Sequence, residues 1–288
     1  MEVVARDACR QVGLPEEHLR FLRLGQNILF HVPHASVVVR IARDASYRAD
    51  AVKEVAVATW LAGEGLPAAR IFDVGREQPM CIAGHPVTFW CYLPGRTATG
   101  DEVAVTGGLL RRLHNLPVPE ALQLPPFRPL DRVDRRLRAA PIPVQDKEFL
   151  ASEKSRLESA LENVTYVLPF GVNHGDAHIK NVIVAPDRSA TLIDFEAANV
   201  AHHEWDLAKT ATEAEMGMLP ENAYDRFSAA YGYDITDWDG FPTIRSAMQL
   251  RMITWLAQNV GHTETITSEY RKRISTLRYG LTERWRGY

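Results

Sequence analysis

Little in this chain points to an oxidising compartment, a membrane or a nucleic acid. Cysteine is scarce: Cys9, Cys81 and Cys91 are an odd number at unrelated spacings, which argues against a disulfide framework and gives no zinc signature. If Ala83-Gly84 turns a hairpin, Cys81 and Cys91 fall out of register, and the three read as small buried hydrophobes. Positive charge is not in excess: Lys and Arg number 33 against 36 Asp and Glu, a formal net charge of -3. That leaves no electrostatic footprint for a nucleic acid partner. No apolar run reaches the length of a membrane span, and Met1 to Asp7 carries charges where a leader peptide is apolar. The expectation is a cytoplasmic protein with no membrane, nucleic acid or protein partner. Internal repeats and low-complexity tracts are absent too. What remains is ordinary globular composition, 46% hydrophobic and 24% charged over 288 residues, enough for one large domain or two modest lobes.

The first hundred residues read as short strands around one helix. Phe21 to Val32 is β-like, Pro33-His34-Ala35-Ser36 breaks it, and Val37 to Ile41 resumes it. Tyr47 to Glu64 turns helical and stops at Gly63, Gly65 and Pro67. Met80 to Ile82 and Pro86 to Leu93 are further strands, ending at Pro94-Gly95, the expected lobe boundary. Beyond it Val103 to Leu116 has helical spacing, and Leu116 to Pro143, rich in proline and arginine, reads as an irregular crossing. Helix resumes near Asp146. Asn181 to Ala185 and Thr191 to Asp194 form a hairpin about Pro186-Asp187-Arg188-Ser189. Four helical segments follow: Glu204 to Met218, Pro220 to Tyr231, Phe241 to Val260 and Glu264 to Arg284.

The chemistry concentrates in His174-Gly175-Asp176-Ala177-His178-Ile179-Lys180-Asn181 and in Leu192-Ile193-Asp194-Phe195-Glu196. Two acids and an amide gather around the hairpin. Phosphoryl transfer from ATP needs a group that accepts a hydroxyl proton and hard oxygen donors that fix magnesium against the phosphates. This segment resembles the aminoglycoside phosphotransferase and choline kinase group, distant relatives of protein kinases, in which a His-Gly-Asp run leads to an Asn five residues after the Asp. The resemblance implies an α+β, bilobal protein-kinase-like fold. Residues 1–95 would form a small β-rich N-terminal nucleotide-binding lobe with hinge, and 96–288 a larger, mainly helical C-terminal catalytic and substrate-binding lobe. It also implies ATP (GTP is possible) with Mg2+, Asp176 as catalytic base, His178 near the transferring phosphate, and Asn181 and Asp194 as metal ligands.

Upstream, Leu24-Gly25-Gln26-Asn27 is similar to the family's phosphate-covering loop, which places Gly25 and Asn27 there. Arg40 is a cation inside an apolar strand and wants a carboxylate or a phosphate. The resemblance sets Arg40 on the ATP phosphates and pairs it with Glu54. Ala51, Ala58 and Leu61 share a helical face with Glu54, so the acid can point inward; an exposed Glu54 is the alternative. By position alone, Cys91 and Leu93 would offer backbone groups to adenine. Leu109 to His114 and Trp205-Asp206-Leu207-Ala208 resemble scaffold segments of the family, with Asp206 tying the catalytic loop or capping a helix.

Rival readings fare less well. A protein kinase would need a long activation segment, yet Trp205-Asp206 follows Asp194 closely and no Ala-Pro-Glu occurs. A hydrolase could seat its metal on His174, Asp176 and His178, with His202 and His203 nearby, but leaves Asn181 and Asp194 unexplained. A nucleotide-binding module without turnover also ranks low, because the motif residues are complete apart from Arg in place of Lys. The acceptor is expected to be a hydroxyl-bearing small molecule, foremost an aminoglycoside or other antibiotic, then a sugar, choline or amino alcohol. Glu213, Glu215, Glu221, Asp225, Asp234, Asp237, Asp239, Glu264 and Glu269 could receive a cation, although solvated helix faces are the plainer reading. Trp238 could stack on a sugar, whereas Trp255 belongs to an apolar helix and reads as core.

Overall fold

The computed structural model describes residues 1–288 other than Gln26, Leu281, Thr282 and Tyr288. One residue of the expected phosphate loop and two of the last expected helix thus lie outside the described residues. Two compact units divide the chain. The first comprises Met1–Ala98, Asn115–Pro125 and Ile179–Ala198, the second Thr99–His114, Pro126–His178 and Asn199–Tyr288. No helix among the described residues is long and apolar enough to cross a membrane.

The first unit opens with helix α1 (Glu2–Gln11), followed by β1 (Arg20–Leu24), β2 (Asn27–Val32), β3 (Val37–Ala42), α2 (Arg48–Gly63), β4 (Met80–Ile82) and β5 (His85–Cys91). The five strands form one antiparallel sheet in the order β1-β2-β3-β5-β4. Side chains alternate along a strand, so Val37, Val39 and Ile41 of β3 join Ile28, Phe30, Val87 and Phe89 in a core closed by Ala5, Ala8 and Cys9 of α1. Arg40, one step out of phase with those valines, lies on the other face. Helix α1 escaped the sequence reading because its inward stripe is three small residues, too weak an apolar signal. Ala83 and Gly84, with φ of 49° and 82°, make the expected hairpin turn. Cys81 faces Pro86 and Cys91 faces Val37 across their ladders. The cysteines are not uniformly buried: Cys81, on the edge strand, is exposed and Cys91 half-buried. Only Cys9 fits that expectation, and burial pushes its thiol up to about 11.

A second sheet in the first unit joins β6 (Arg96–Thr97), β8 (Val182–Val184) and β9 (Ala190–Leu192), while β7 (Phe170–Asn173) belongs to the second unit. Gly95, at φ 151°, passes so close to the Val184 carbonyl that a Cβ would collide with it. Glycine is therefore required there.

In the second unit, β7 pairs with β10 (Asn199–His202). Around them stand α3 (Val103–His114), α4 (Val133–Ala139), α5 (Val144–Leu161), α6 (Glu204–Glu215), α7 (Ala223–Tyr231), α8 (Phe241–Ala257) and α9 (Glu264–Tyr279). Helix α8 is apolar on nearly every side, and α4, α5, α6 and α9 pack on it. Helix α4 replaces part of the expected irregular crossing. Its buried residues are Val133 and Leu137 alone, one i,i+4 pair too short to register as a period. Trp255, expected in the core, is 45% exposed, whereas Trp238 is 8% exposed and gives its indole N–H to the Thr165 carbonyl.

Candidate active site

The first unit gathers its charged residues behind β3. Glu54, Val57, Ala58 and Leu61 form the buried stripe of α2, so the carboxylate enters with the apolar side chains and must be paired. Arg40 Nη1 donates to Glu54 Oε1 at 2.5 Å, and Arg40 Nη2 reaches Glu196 Oε2 at 2.9 Å and Asp194 Oδ1 at 3.4 Å. Burial opposes the charge on Arg40, but Glu54, Asp194 and Glu196 together hold its guanidinium above its ordinary range. Burial pushes Glu54 up, to about 7, while Arg40 pulls it back and the other two acids add to the rise. One guanidinium thus faces three carboxylates. A small open cleft is lined by Arg40, Glu54 and Glu196 together with Asn27, Tyr47 and Asp50.

Glu54 also accepts the Phe195 N–H at 3.3 Å, which ties α2 to the Asp194-Phe195-Glu196 turn. Asp194 is held at φ 71° and ψ 70°, a left-handed conformation that costs a non-glycine residue about 1 kcal/mol or more and tends to mark functional positions. Val182 pairs with Leu192, and the Ile193 N–H donates to the Asn181 carbonyl at 2.9 Å. Asn181 and Asp194 therefore emerge at the same mouth of the β8–β9 hairpin. A carboxylate and a carboxamide are hard oxygen donors that fit magnesium, which keeps water and phosphate in the rest of its shell. Among the described residues no three His, Cys, Asp or Glu side chains form a ready metal cage, so any metal here would draw further donors from water or nucleotide.

The loop and hinge expectations lie in the same unit. Arg43 holds the Gly25 carbonyl through Nη2 at 2.6 Å and Nε at 3.0 Å, and Asn27 Nδ2 donates to Glu196 Oε2 at 3.2 Å. At the end of β5 the Cys91 N–H is spent on the Arg70 carbonyl at 2.9 Å, so this donor is not available to adenine. Leu93 follows Tyr92, whose ring stacks on His31 at 3.8 Å.

The second unit carries Asp176. Chain leaving β7 turns through Gly175 at φ 81°, and Asp206, in the first turn of α6, accepts the N–H of His174 at 2.6 Å and of Gly175 at 2.8 Å. Its carboxylate also lies 3.1 Å from His114 Nε2, while His114 Nδ1 is 2.8 Å from the Tyr231 hydroxyl. An ionised carboxylate only accepts, so Nε2 is the donor to Asp206. Burial raises Asp206, but His114, His174 and the Gly175 N–H outweigh it and hold the carboxyl below its ordinary value. Asp176 itself stays half exposed, with Oδ2 3.5 Å from His178 Nε2, and its N–H donates to His174 Nδ1 at 3.3 Å. Whatever burial it has pushes it up; His178, Lys209 and His174 together pull it well below the carboxylate range.

His203 stacks on His114 with ring centroids 3.9 Å apart, hydrogen-bonds Asn173 Oδ1 at 2.8 Å, and leaves no room for a Cβ on Gly171. His202 stacks on Tyr166. His202 and His203, the two outer histidines of the hydrolase reading, are thus occupied in packing. Burial, then the neighbouring His114, pushes His203 down to about 4. The fold favours its neutral ring: the contribution is complete above the unfolded value of about 6.5 and is lost as pH falls through about 4, some 3 kcal/mol in all. Urea unfolding should show stability dropping across that window, less steeply in His203→Asn; parallel pH profiles for the two proteins would contradict this.

Several acids named for a cationic ligand have other work. Glu213 pairs with Lys209 at 3.2 Å, Glu215 with Arg245 at 2.7 Å and Glu269 with Arg273 at 2.9 Å, while Asp234 accepts from Tyr224 and Thr236. Sequence reasoning gave no role to Glu196, Asn173 or Lys209. Glu196 stood in plain view beside Asp194, and its charge next to an inward Arg40 was the available signal.

A family model described as the phosphotransferase enzyme family matches residues 22–242. Among solved structures, amicoumacin kinase hAmiN in complex with AMP-PNP, Ca2+ and Ami is similar with a TM-score of 0.75 at 14% identity, covering 99% of this chain and 97% of that one. Choline kinase LicA from Streptococcus pneumoniae matches with a TM-score of 0.68 at 16% identity, over 96% and 99%. Aminoglycoside phosphotransferase APH(3'')-Id from Streptomyces rimosus matches with a TM-score of 0.59 at 20% identity, over 85% and 96%. At such identities the likeness shows the fold: mixed α and β, of the protein-kinase-like kind found in small-molecule kinases.

Proposed function

This chain belongs to the phosphotransferase enzyme family and is a small-molecule kinase, and we propose that it transfers the γ-phosphoryl group of ATP directly to a hydroxyl, with Asp176 as base. The acceptor oxygen bonds to the γ-phosphorus as the bond from that phosphorus to the bridging oxygen breaks. The electron pair of the broken bond leaves with ADP, and the hydroxyl proton passes to Asp176. Arg40, braced by Glu54, meets phosphate charge that Glu196 would otherwise answer. Asn181 and Asp194 are the residues that would hold Mg2+, which supplies charge neutralisation along the triphosphate.

One observation supports this above the others: a carboxamide and a left-handed carboxylate share a hairpin mouth, and that carboxylate touches a guanidinium already surrounded by acid. Three carboxylates against one cation leave an excess of negative charge that a divalent ion would balance. Loss of an outer partner in a metal site costs roughly 10- to 100-fold in affinity, so Asp194→Ala should weaken Mg2+-dependent ATP binding by about 100-fold or more in calorimetry. Equal ATP affinity with and without Mg2+ in both proteins would end the assignment. The kinase structures above act on amicoumacin, on choline or on an aminoglycoside by name. With five of the nine acids named for a cationic ligand, Glu213, Glu215, Asp234, Glu264 and Glu269, already engaged within the second unit, a polycationic antibiotic gains little support as acceptor.

A further inference from the structure

In the second unit the charge of Asp176 is felt by three cationic side chains, Arg136, Arg251 and Lys209. Arg136 of α4 donates through Nη1 to the backbone carbonyl of Arg251 on α8 at 3.1 Å, and Arg251 Nη1 donates to the Pro129 carbonyl at 3.0 Å. The Arg251 guanidinium also lies over the Phe127 ring, 5.0 Å from its centroid. Both arginines are half-buried, and neither forms an ion pair among the described residues. Carbonyls and a ring face satisfy hydrogens without cancelling charge. The one acid within α4, Asp134, is taken by Lys154 at 2.8 Å, and Lys209 is matched by Glu213. Asp176 is the carboxylate whose field both arginines feel. Burial, then Arg251, Arg132 and Arg135, push Arg136 down to about 10, while burial and Arg132 lower Arg251. Two guanidiniums on elements joined through the Arg251 carbonyl, partly out of water and short of counter-charge, are costly unless an anion visits them.

We infer that Arg136 and Arg251 form an anion-binding subsite for the acceptor, so that the hydroxyl presented to Asp176 belongs to a small molecule carrying a carboxylate or a phosphate group. This rests on reading Asp176 as the catalytic base. A planar guanidinium takes either oxyanion in bidentate fashion, and a polycationic acceptor would meet repulsion at the same place.

The test uses the full chain with Mg2+ and ATP, following ADP release with three sets of acceptors: hydroxy acids such as glycerate, phosphate esters such as glycerol phosphate, and cations such as ethanolamine and kanamycin. Turnover should be confined to the anionic sets, and the set that responds separates carboxylate from phosphate. Arg136→Gln with Arg251→Gln should raise the KM of that acceptor roughly 10- to 100-fold while ADP affinity holds, and Arg136→Lys should restore part of it. If no compound in the panel turns over, glycerate or glycerol phosphate must still raise the Tm of the wild type and leave the double variant unmoved. Turnover of cations alone, an unchanged KM, a loss of nucleotide affinity in place of the KM effect, or no anion-dependent change in Tm would each overturn the subsite. Absence of Mg2+-dependent ATP binding in the wild type would instead overturn the kinase mechanism, which keeps the two failures apart.

Discussion

Asp176→Asn should lower turnover by about 10² to 10⁴ while leaving ATP affinity nearly intact, the range expected when a positioned proton acceptor is lost. The wild-type carboxylate is held well below its ordinary range, with His178, Lys209 and His174 opposing burial. A group so acidic is a poor proton acceptor toward the resting hydroxyl. Its contribution is to orient that hydroxyl by hydrogen bonding and to take the proton late, once the bond to phosphorus has begun to form and the oxygen has become acidic. Asn keeps an acceptor oxygen but cannot take the proton, so the substitution separates orientation from proton transfer. Because Asp176 remains ionised well below pH 4, its own titration should leave the rate flat across the neutral and mildly acidic range. Steady-state kinetics with a responsive acceptor give the readout, and an Asp176→Asn enzyme working at near-native rate would remove Asp176 from the reaction.

Asp206→Ala should be the most damaging substitution for stability in the second unit. The side chain accepts from two backbone N–H groups and from His114, and it is 1% exposed. Removing it strands three donors lying wholly or partly out of water, each worth about 1–3 kcal/mol when unsatisfied, so a loss of about 3 kcal/mol or more is expected in urea unfolding. The loop that carries Asp176 also loses its anchor, so turnover should fall beyond what the unfolded fraction explains. Asp206→Asn keeps one acceptor oxygen and should fall between the two. The carboxyl sits below its ordinary value, so its contribution is present above about pH 3.9 and fades as pH falls through its folded pKa. That window lies below the one set by His203. A fully stable Asp206→Ala protein would show that the loop stands without it.

These predictions draw unequally on sequence and structure. Strand β3 and helix α2 were legible because the β-branched run Val37 to Ile41 and the Glu54, Ala58, Leu61 spacing are strong signals, and the register of the β8–β9 hairpin follows from its turn. The inward turn of Glu54 was legible for the same reason. What the sequence concealed were contacts made across long separations. His114, Asn173 and the segment from His203 to Asp206 stand far apart in order, and nothing local marks them as one cluster of hydrogen bonds and stacked rings. Glu196 was overlooked because a strand-end acid looks solvated until its distance to Arg40 is known. The pairing of Arg136 with Arg251 was hidden for a further reason: α4 has only two buried apolar residues, so its helicity, and hence the direction of its arginines, could not be read.

One strand, β3, carries both the apolar core of the first unit and its essential cation, on opposite faces. Insertion or deletion of a single residue between Val37 and Ala42 would reverse the parity of every position beyond it, driving the guanidinium among valines and turning valines toward the acids. Along this stretch the chain can vary by exchange of side chains but not by change of length.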